Sequence, residues 1–244
     1  MRATNTLTLG ADRALYVGEL PATGWHRHAA PVLLLGLSGR FAVHLAPGQV
    51  ETCRSALIDT GVWHLFDPCG ERVALVYLEP DCVEARGLRP MLRQQGGALF
   101  DPAGRVGARG TLEARLRSFD LHVLLGWRFA QTAELDPRVL RSLQHLRMAR
   151  DGALPRDQVA QAAHLSASRF NHLFREEMGV SFRSYRVWSQ VRAAMAGLAT
   201  QPRLTDAALH GAFSDSAHFS RTFRQTFGMT PSSVLKPLRE VTLV

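Results

Sequence analysis

Lysine is almost missing from this chain of 244 residues. Of its 29 cationic side chains only Lys236 is a lysine, so nearly every positive charge is a guanidinium. Guanidinium groups grip phosphate and guanine through two parallel hydrogen bonds, although a biased genome composition produces the same preference. Cysteine is scarce as well. Cys53, Cys69 and Cys82 are odd in number and never form Cys-x-x-Cys, which argues against a disulfide framework and a thiolate zinc site. The densest apolar run, Val32 to Leu37, is far too short to cross a bilayer. The amino terminus lacks a basic stretch followed by an apolar core, so no secretory leader is expected and the cytoplasm is the expected location. No catalytic triad, phosphate loop or carboxylate pair stands out. Nothing here demands an enzyme.

What is present is uneven. Residues 1–135 hold 14 basic and 13 acidic side chains, a balance of +1, whereas residues 136–244 hold 15 and 8, a balance of +7. The second part therefore suits an acidic partner, with nucleic acid foremost. Up to about residue 80 the text reads as short strands at Ala14–Leu20, Val32–Leu37, Phe41–Leu45, Ala56–Ile58 and Val73–Leu78. Turn chemistry separates them at Ser38-Gly39, Pro47-Gly48, Thr60-Gly61 and Pro68-Cys69-Gly70. Such spacing favours a small antiparallel barrel or sandwich. From Leu112 the period becomes helical, with Leu112, Leu116, Phe119, Val123 and Trp127 on one stripe that either packs on the barrel or serves dimerisation. Asp136-Pro137 then reads as a cap and first helical position, followed by Leu140, Leu143 and Leu146 as a buried stripe. The expected division is 1–133 and 134–244, and the fold class is α+β in two domains.

The second part says nearly the same thing twice. SRFNHLFREEMGVSF from Ser168 to Phe182 and AHFSRTFRQTFGMTP from Ala217 to Pro231 share Phe-x-x-x-Phe-Arg-x-x-x-Gly, at Phe170, Phe174, Arg175, Gly179 and at Phe219, Phe223, Arg224, Gly228. Each copy reads as a helix-turn-helix unit. In the first, a helix over Arg156–Ala163 carries Val159, Ala160 and Ala163, His164-Leu165 turns, and Ser166 caps the next helix. Ser168, Arg169, Asn171, His172 and Arg175 face outward. In the second, Thr205 caps a helix with Ala207, Ala208 and Leu209 on its inner face, Gly211-Ala212-Phe213 turns, and Ser214 opens a helix presenting Ser216, His218, Ser220, Arg221 and Arg224. Counted from these caps, the second unit has one extra residue before its first Phe. One helix over Phe182–Leu198 joins the units. Two outward faces of this chemistry at a set separation suit a periodic double-stranded DNA, with Arg169, Asn171, His172, His218 and Arg221 at base edges and Arg175 and Arg224 on phosphates or bridging to the body of the domain.

Over about residues 136–236, and most specifically in GAFSDSAHFSRTFRQTFGMTPSS (Gly211–Ser233), the chain resembles the AraC/XylS family of bacterial transcriptional regulators. That resemblance implies two helix-turn-helix motifs joined by a linker helix, binding promoter or operator DNA. It also implies a first domain, commonly cupin-like, for an effector or for dimerisation. RNA polymerase and a second copy of the chain are further candidate partners. The family usually has Gly where this chain has His164 and Ala212, which puts the second turn in question.

The first domain resembles a cupin barrel through two fragments. Trp25-His26-Arg27-His28 supplies His-x-His, expected to place both imidazoles on one face of a strand, and Gly61-Val62-Trp63-His64 supplies Gly-x-x-His. His26, His28 and His64 are the candidate metal ligands for a divalent ion. The glutamate that usually follows His-x-His is absent, with Val32 and Leu33 in that stretch. An empty or organic-ligand pocket lined by Trp25, His26, His28, Trp63, His64 and Phe66 is therefore expected ahead of a metal site, with no cofactor required. The rival reading is a metal-dependent cupin enzyme carrying a DNA-binding appendage.

Overall fold

The computed structural model describes residues 4–102, 116, 124–125, 132–148, 154–200 and 203–244. The first hundred residues form β1 (Asn5–Leu9), β2 (Arg13–Gly18), β3 (Val32–Gly36), β4 (Phe41–Ala46), β5 (Gln49–Cys53), β6 (Ser55–Ile58), β7 (Leu65–Asp67), β8 (Val73–Leu78) and β9 (Ala98–Phe100), with α1 (Val83–Gln94) before β9; the five expected apolar runs are β2, β3, β4, β6 and β8. A final strand, β10 (Leu238–Leu243), completes a seven-stranded sheet ordered β10-β1-β2-β8-β3-β6-β9, beside a three-stranded sheet ordered β5-β4-β7. The central strand β3 lies between β6 and β8, and its Val32–Leu35 run is buried on both faces. This explains why it reads as continuous rather than alternating hydrophobicity.

Among the elements that escaped the sequence reading, four did so for local reasons. The strand β5 is an exposed edge with almost no apolar pattern, and β7 and β9 are only three residues long. Pro90 inside α1 reads as a helix breaker, yet Cys82 accepts from the Ala85 N–H at 3.4 Å to start that helix, and Ala85, Leu88 and Leu92 bury against Leu33, Leu57 and Val76. Leu116, Leu124 and Leu125 join the same core. The rest of the helix expected between Leu112 and Trp127 lies outside the described residues.

The chain divides into two compact units, 1–131 together with 224–244, and 132–223. The units divide between Gln131 and Thr132, and the tail departs from the expected 134–244 domain. It does so because β10 pairs in parallel with β1, Leu7 opposite Val241 and Leu9 opposite Leu243, filling backbone hydrogen bonds that an edge strand otherwise leaves open.

The second unit is helical: α2 (Pro137–Met148), α3 (Arg156–Ala162), α4 (Ala167–Met178), α5 (Phe182–Gly197), α6 (Leu204–His210) and the start of α7 (Ser216–Phe227); α8 (Pro231–Leu235) belongs to the tail. Asp136 caps α2 as expected, accepting from the Arg138 N–H at 2.8 Å. The buried stripe of α2 is Val139, Ser142 and Leu143, and Leu140 is 42% exposed, so the inner face sits one residue away from the expected Leu140 position. Aromatic rings fill the rest. Phe174 meets Phe170, Phe182 and Tyr185 at centroid distances of 5.5, 5.4 and 5.6 Å, and Phe219 meets Phe213 and Phe223 at 5.1 and 5.7 Å. Each half of the repeat thus owns an edge-to-face aromatic core. Among the described residues, no helix is long and apolar enough to cross a membrane.

Candidate nucleic-acid interface and histidine cluster

The two helix-turn-helix units are bonded alike. In the first turn the His164 N–H donates to Gln161 O and the Leu165 N–H to Ala160 O, both at 2.9 Å; in the second the Ala212 N–H donates to Leu209 O and the Phe213 N–H to Ala208 O, again at 2.9 Å. His164 and Ala212 both sit at φ +56°. The missing glycine therefore does not alter the second turn; the alanine adopts the left-handed backbone that the turn demands.

The caps correct the sequence reading. Ser166 accepts from the Arg169 N–H at 3.3 Å, as expected, but α7 is capped by Asp215, which accepts from the His218 N–H at 2.6 Å, and not by Ser214. Ser166 precedes Phe170 by four residues, and Asp215 precedes Phe219 by four. Counted from the true caps the reading helices are in register, and the extra residue is Ser214, lodged between turn and cap. Its hydroxyl bonds Asp215 at 3.1 Å and His218 Nδ1 at 3.2 Å, while the His218 ring stands edge-on to Phe213 at 5.3 Å. His218 is thereby oriented. Thr205 does not cap α6: Arg203 occupies that position with no side-chain bond. Leu209, expected inside, is 66% exposed, and Ala207 and Ala208 alone are buried on α6.

On α4 and α7 the residues Ser168, Arg169, His172, Arg175, His218, Arg221 and Arg224 are exposed, and Asn171, Ser216 and Ser220 are half-buried. They lie opposite the buried Phe170–Phe174 and Phe219–Phe223 pairs, as the spacing requires. His172 faces Glu176 at 3.7 Å along one side of α4. The connector α5 has 16 residues, a rod of about 24 Å at the helical rise. Beside α4 a cleft of about 550 Å³ is lined by Arg156, Arg175, Arg183 and Arg186 with Asp157 and Asn171. The sequence reading missed Arg156, Arg183 and Arg186 because they lie outside the repeated block. For Arg183 and Arg186 the signal was arginine at i and i+3 near the start of α5.

The histidines of the first unit also come together. After β6 the chain turns at Gly61 (φ +72°), whose N–H donates to His28 O at 2.9 Å. This returns His64 alongside His26, where the two backbones exchange hydrogen bonds of 2.9 and 3.0 Å. The His-x-His segment is thus an extended stretch pinned by an isolated bridge, not the strand expected. Alternation along it sends His26, His28 and His64 inward, 3, 5 and 2% exposed, and Arg27 and Trp63 outward. Trp63 is 52% exposed beneath the Arg27 guanidinium, 5.6 Å from its carbon, so it does not share a pocket with the histidines, contrary to expectation. Trp25 is half-buried, and Phe66 packs on Phe41 at 5.3 Å as core. Burial pushes His26 down to about 3, aided by neighbouring His64, and lowers His28 and His64 as well. Cys53 and Cys82 are pushed up to about 12 by burial and stay thiols; all three cysteines are free.

Two cap-matched helix-turn-helix units on one rod make a double helix-turn-helix module. A family model described as a helix-turn-helix domain matches residues 159–237. The arabinose operon regulatory proteins of Salmonella typhimurium and Escherichia coli are each 36% identical over 75 residues, 30% of this chain and 27% and 26% of theirs. The match spans about a quarter of those relatives. Solved structures similar over nearly the whole chain include ToxT from Vibrio cholerae (TM-score 0.57, 13% identity, 93% of this chain and 98% of that one). An apo ToxT variant (0.63, 12%, 93% and 97%) and an unsaturated fatty acid bound ToxT (0.57, 14%, 98% and 98%) are similar too. At such identities they speak to the fold, sheets and helices in two domains. Residues 159–237 are thus a helix-turn-helix domain similar to part of the arabinose operon regulatory proteins.

Proposed function

We propose that the whole chain is a sequence-specific transcription regulator, acting in the cytoplasm by binding rather than catalysis, with a cupin-like first unit as its sensor. The observation that carries this reading is the register of α4 and α7, which present the same exposed face from matching caps. Arg169, Asn171, His172, His218 and Arg221 are assigned to base edges. Arg175 and Arg224, with the cleft arginines Arg156, Arg183 and Arg186, are assigned to phosphates. Two reading helices on a stiff connector suit major-groove segments one helical turn apart, about 34 Å. A buried histidine cluster in the first unit, and a fold relative holding a fatty acid, support a sensor that takes a small ligand. Homodimerisation and contact with RNA polymerase belong to the same proposal.

Selection of bound duplexes from a random library by the full chain, followed by footprinting, tests it. One enriched sequence with two protected segments a helical turn apart is expected. Binding that enriches no sequence would overturn it.

A further inference from the structure

Each histidine of the cluster presents Nδ1 to a backbone carbonyl: His26 to Gly24 O at 3.0 Å, His28 to Ala30 O at 2.5 Å and His64 to Val62 O at 3.0 Å. A carbonyl only accepts, so Nδ1 carries the proton in every ring and Nε2 keeps a bare lone pair. One ligand nitrogen from each ring lies within 4.8 Å of the others. His28 Nε2 is buried with no hydrogen-bond partner among the described residues, an arrangement that costs free energy unless something binds there. Carbonyl-held Nδ1 atoms are also what orient imidazoles toward a metal. Three neutral imidazoles without a carboxylate suit zinc, nickel, cobalt or copper over magnesium or calcium, and leave coordination positions open.

The end of α7 walls the same site. The Phe227 ring lies 6.5 Å from His28 and 5.6 Å from Tyr77, itself 5.1 Å from His28. The Gly24 N–H donates to Gly228 O at 2.7 Å. A Cβ on Gly228 would stand 2.8 Å from His26 Nδ1, so only glycine allows this approach.

We propose that His26, His28 and His64 bind one divalent transition-metal ion through Nε2, and that the ion fixes the seat on which Phe227 and Gly228 end α7, so that loading changes DNA affinity. The second half rests on α7 being a DNA-reading helix; the first does not.

The full chain, stripped with a chelator, is titrated calorimetrically with Zn²⁺, Ni²⁺ and Mg²⁺, and with Co²⁺ followed by its visible absorption. One zinc, nickel or cobalt per chain and no magnesium is expected. His28→Gln and His64→Gln, shown folded by circular dichroism, should each lower affinity at least about 100-fold, the upper end of what even an outer-shell change costs, and abolish the cobalt spectrum. Loaded and stripped protein should differ at least about fivefold in affinity for the selected duplex. Phe227→Ala keeps every ligand atom and should bind the ion while losing that difference. A folded chain that takes up no ion overturns the proposal. Uptake with unchanged DNA affinity overturns its regulatory half alone. Uptake by a chain that binds no duplex also overturns that half, and with it the reading of α7, while the metal site stands.

Discussion

Replacing Ala212 by glycine should make this protein more stable, which is unusual for a change that only removes atoms. Ala212 sits at φ +56°, where a Cβ crowds the following carbonyl at a cost of about 1–2 kcal/mol. Glycine removes that cost but gives the unfolded chain more freedom, which returns about 0.5–1 kcal/mol. Ala212 is only half-buried, and its carbonyl, which accepts from Gln190 Nε2 at 3.5 Å, is unchanged by the substitution. The net gain is centred on about 0.75 kcal/mol, a rise of about 3–6 °C in the melting of the helical unit. Urea unfolding of the full chain, with hydrogen exchange at α6 and α7 to localise the effect, measures it. Ala212→Val supplies the opposite arm: its branched Cβ should cost more than alanine does. A loss of stability in Ala212→Gly, or a gain in Ala212→Val, would refute the argument that this turn is strained.

Truncating Phe174 to alanine should destabilise by about 3–5 kcal/mol, since a fully buried ring touching three others leaves a cavity; chemical denaturation reads this directly. Ser166→Ala and Asp215→Ala should each cost about 1 kcal/mol, whereas Ser214→Ala, which removes no cap, should cost less. If Ser214 instead matched Asp215, the assignment of the cap would be wrong. Arg169→Ala should lose about 1–3 kcal/mol of DNA binding and relax preference at one base position, while Arg175→Ala should weaken all sequences alike and reduce the salt slope by about one. Gel shifts at several salt concentrations separate these outcomes.

Much of the helical unit was legible because its pattern is local. The recurrence of Phe-x-x-x-Phe-Arg-x-x-x-Gly marks the inner and outer faces of α4 and α7, and a face needs only 3.6-residue periodicity to be read. Capping was less legible: Ser214 and Asp215 are both good caps, and only backbone geometry chose the second. Leu140 and Leu209 misled for the converse reason. An apolar residue at helical spacing looks buried until a neighbouring element is known to cover it, and these two stay 42% and 66% exposed.

Sequence alone determined the duplicated reading helices, the charge asymmetry and the His-x-His and Gly-x-x-His fragments, since each is carried by residues close together in the chain. Tertiary structure decided what long-range pairing controls. It set β10 on β1, joined His64 to His26 across a Gly61 turn, turned Trp63 outward, and placed Gly228, a glycine shared by both repeats, against an imidazole 202 residues earlier. Such contacts depend on which sheet edge is left open and how closely two backbones approach, and neither property is written in the local spacing of side chains.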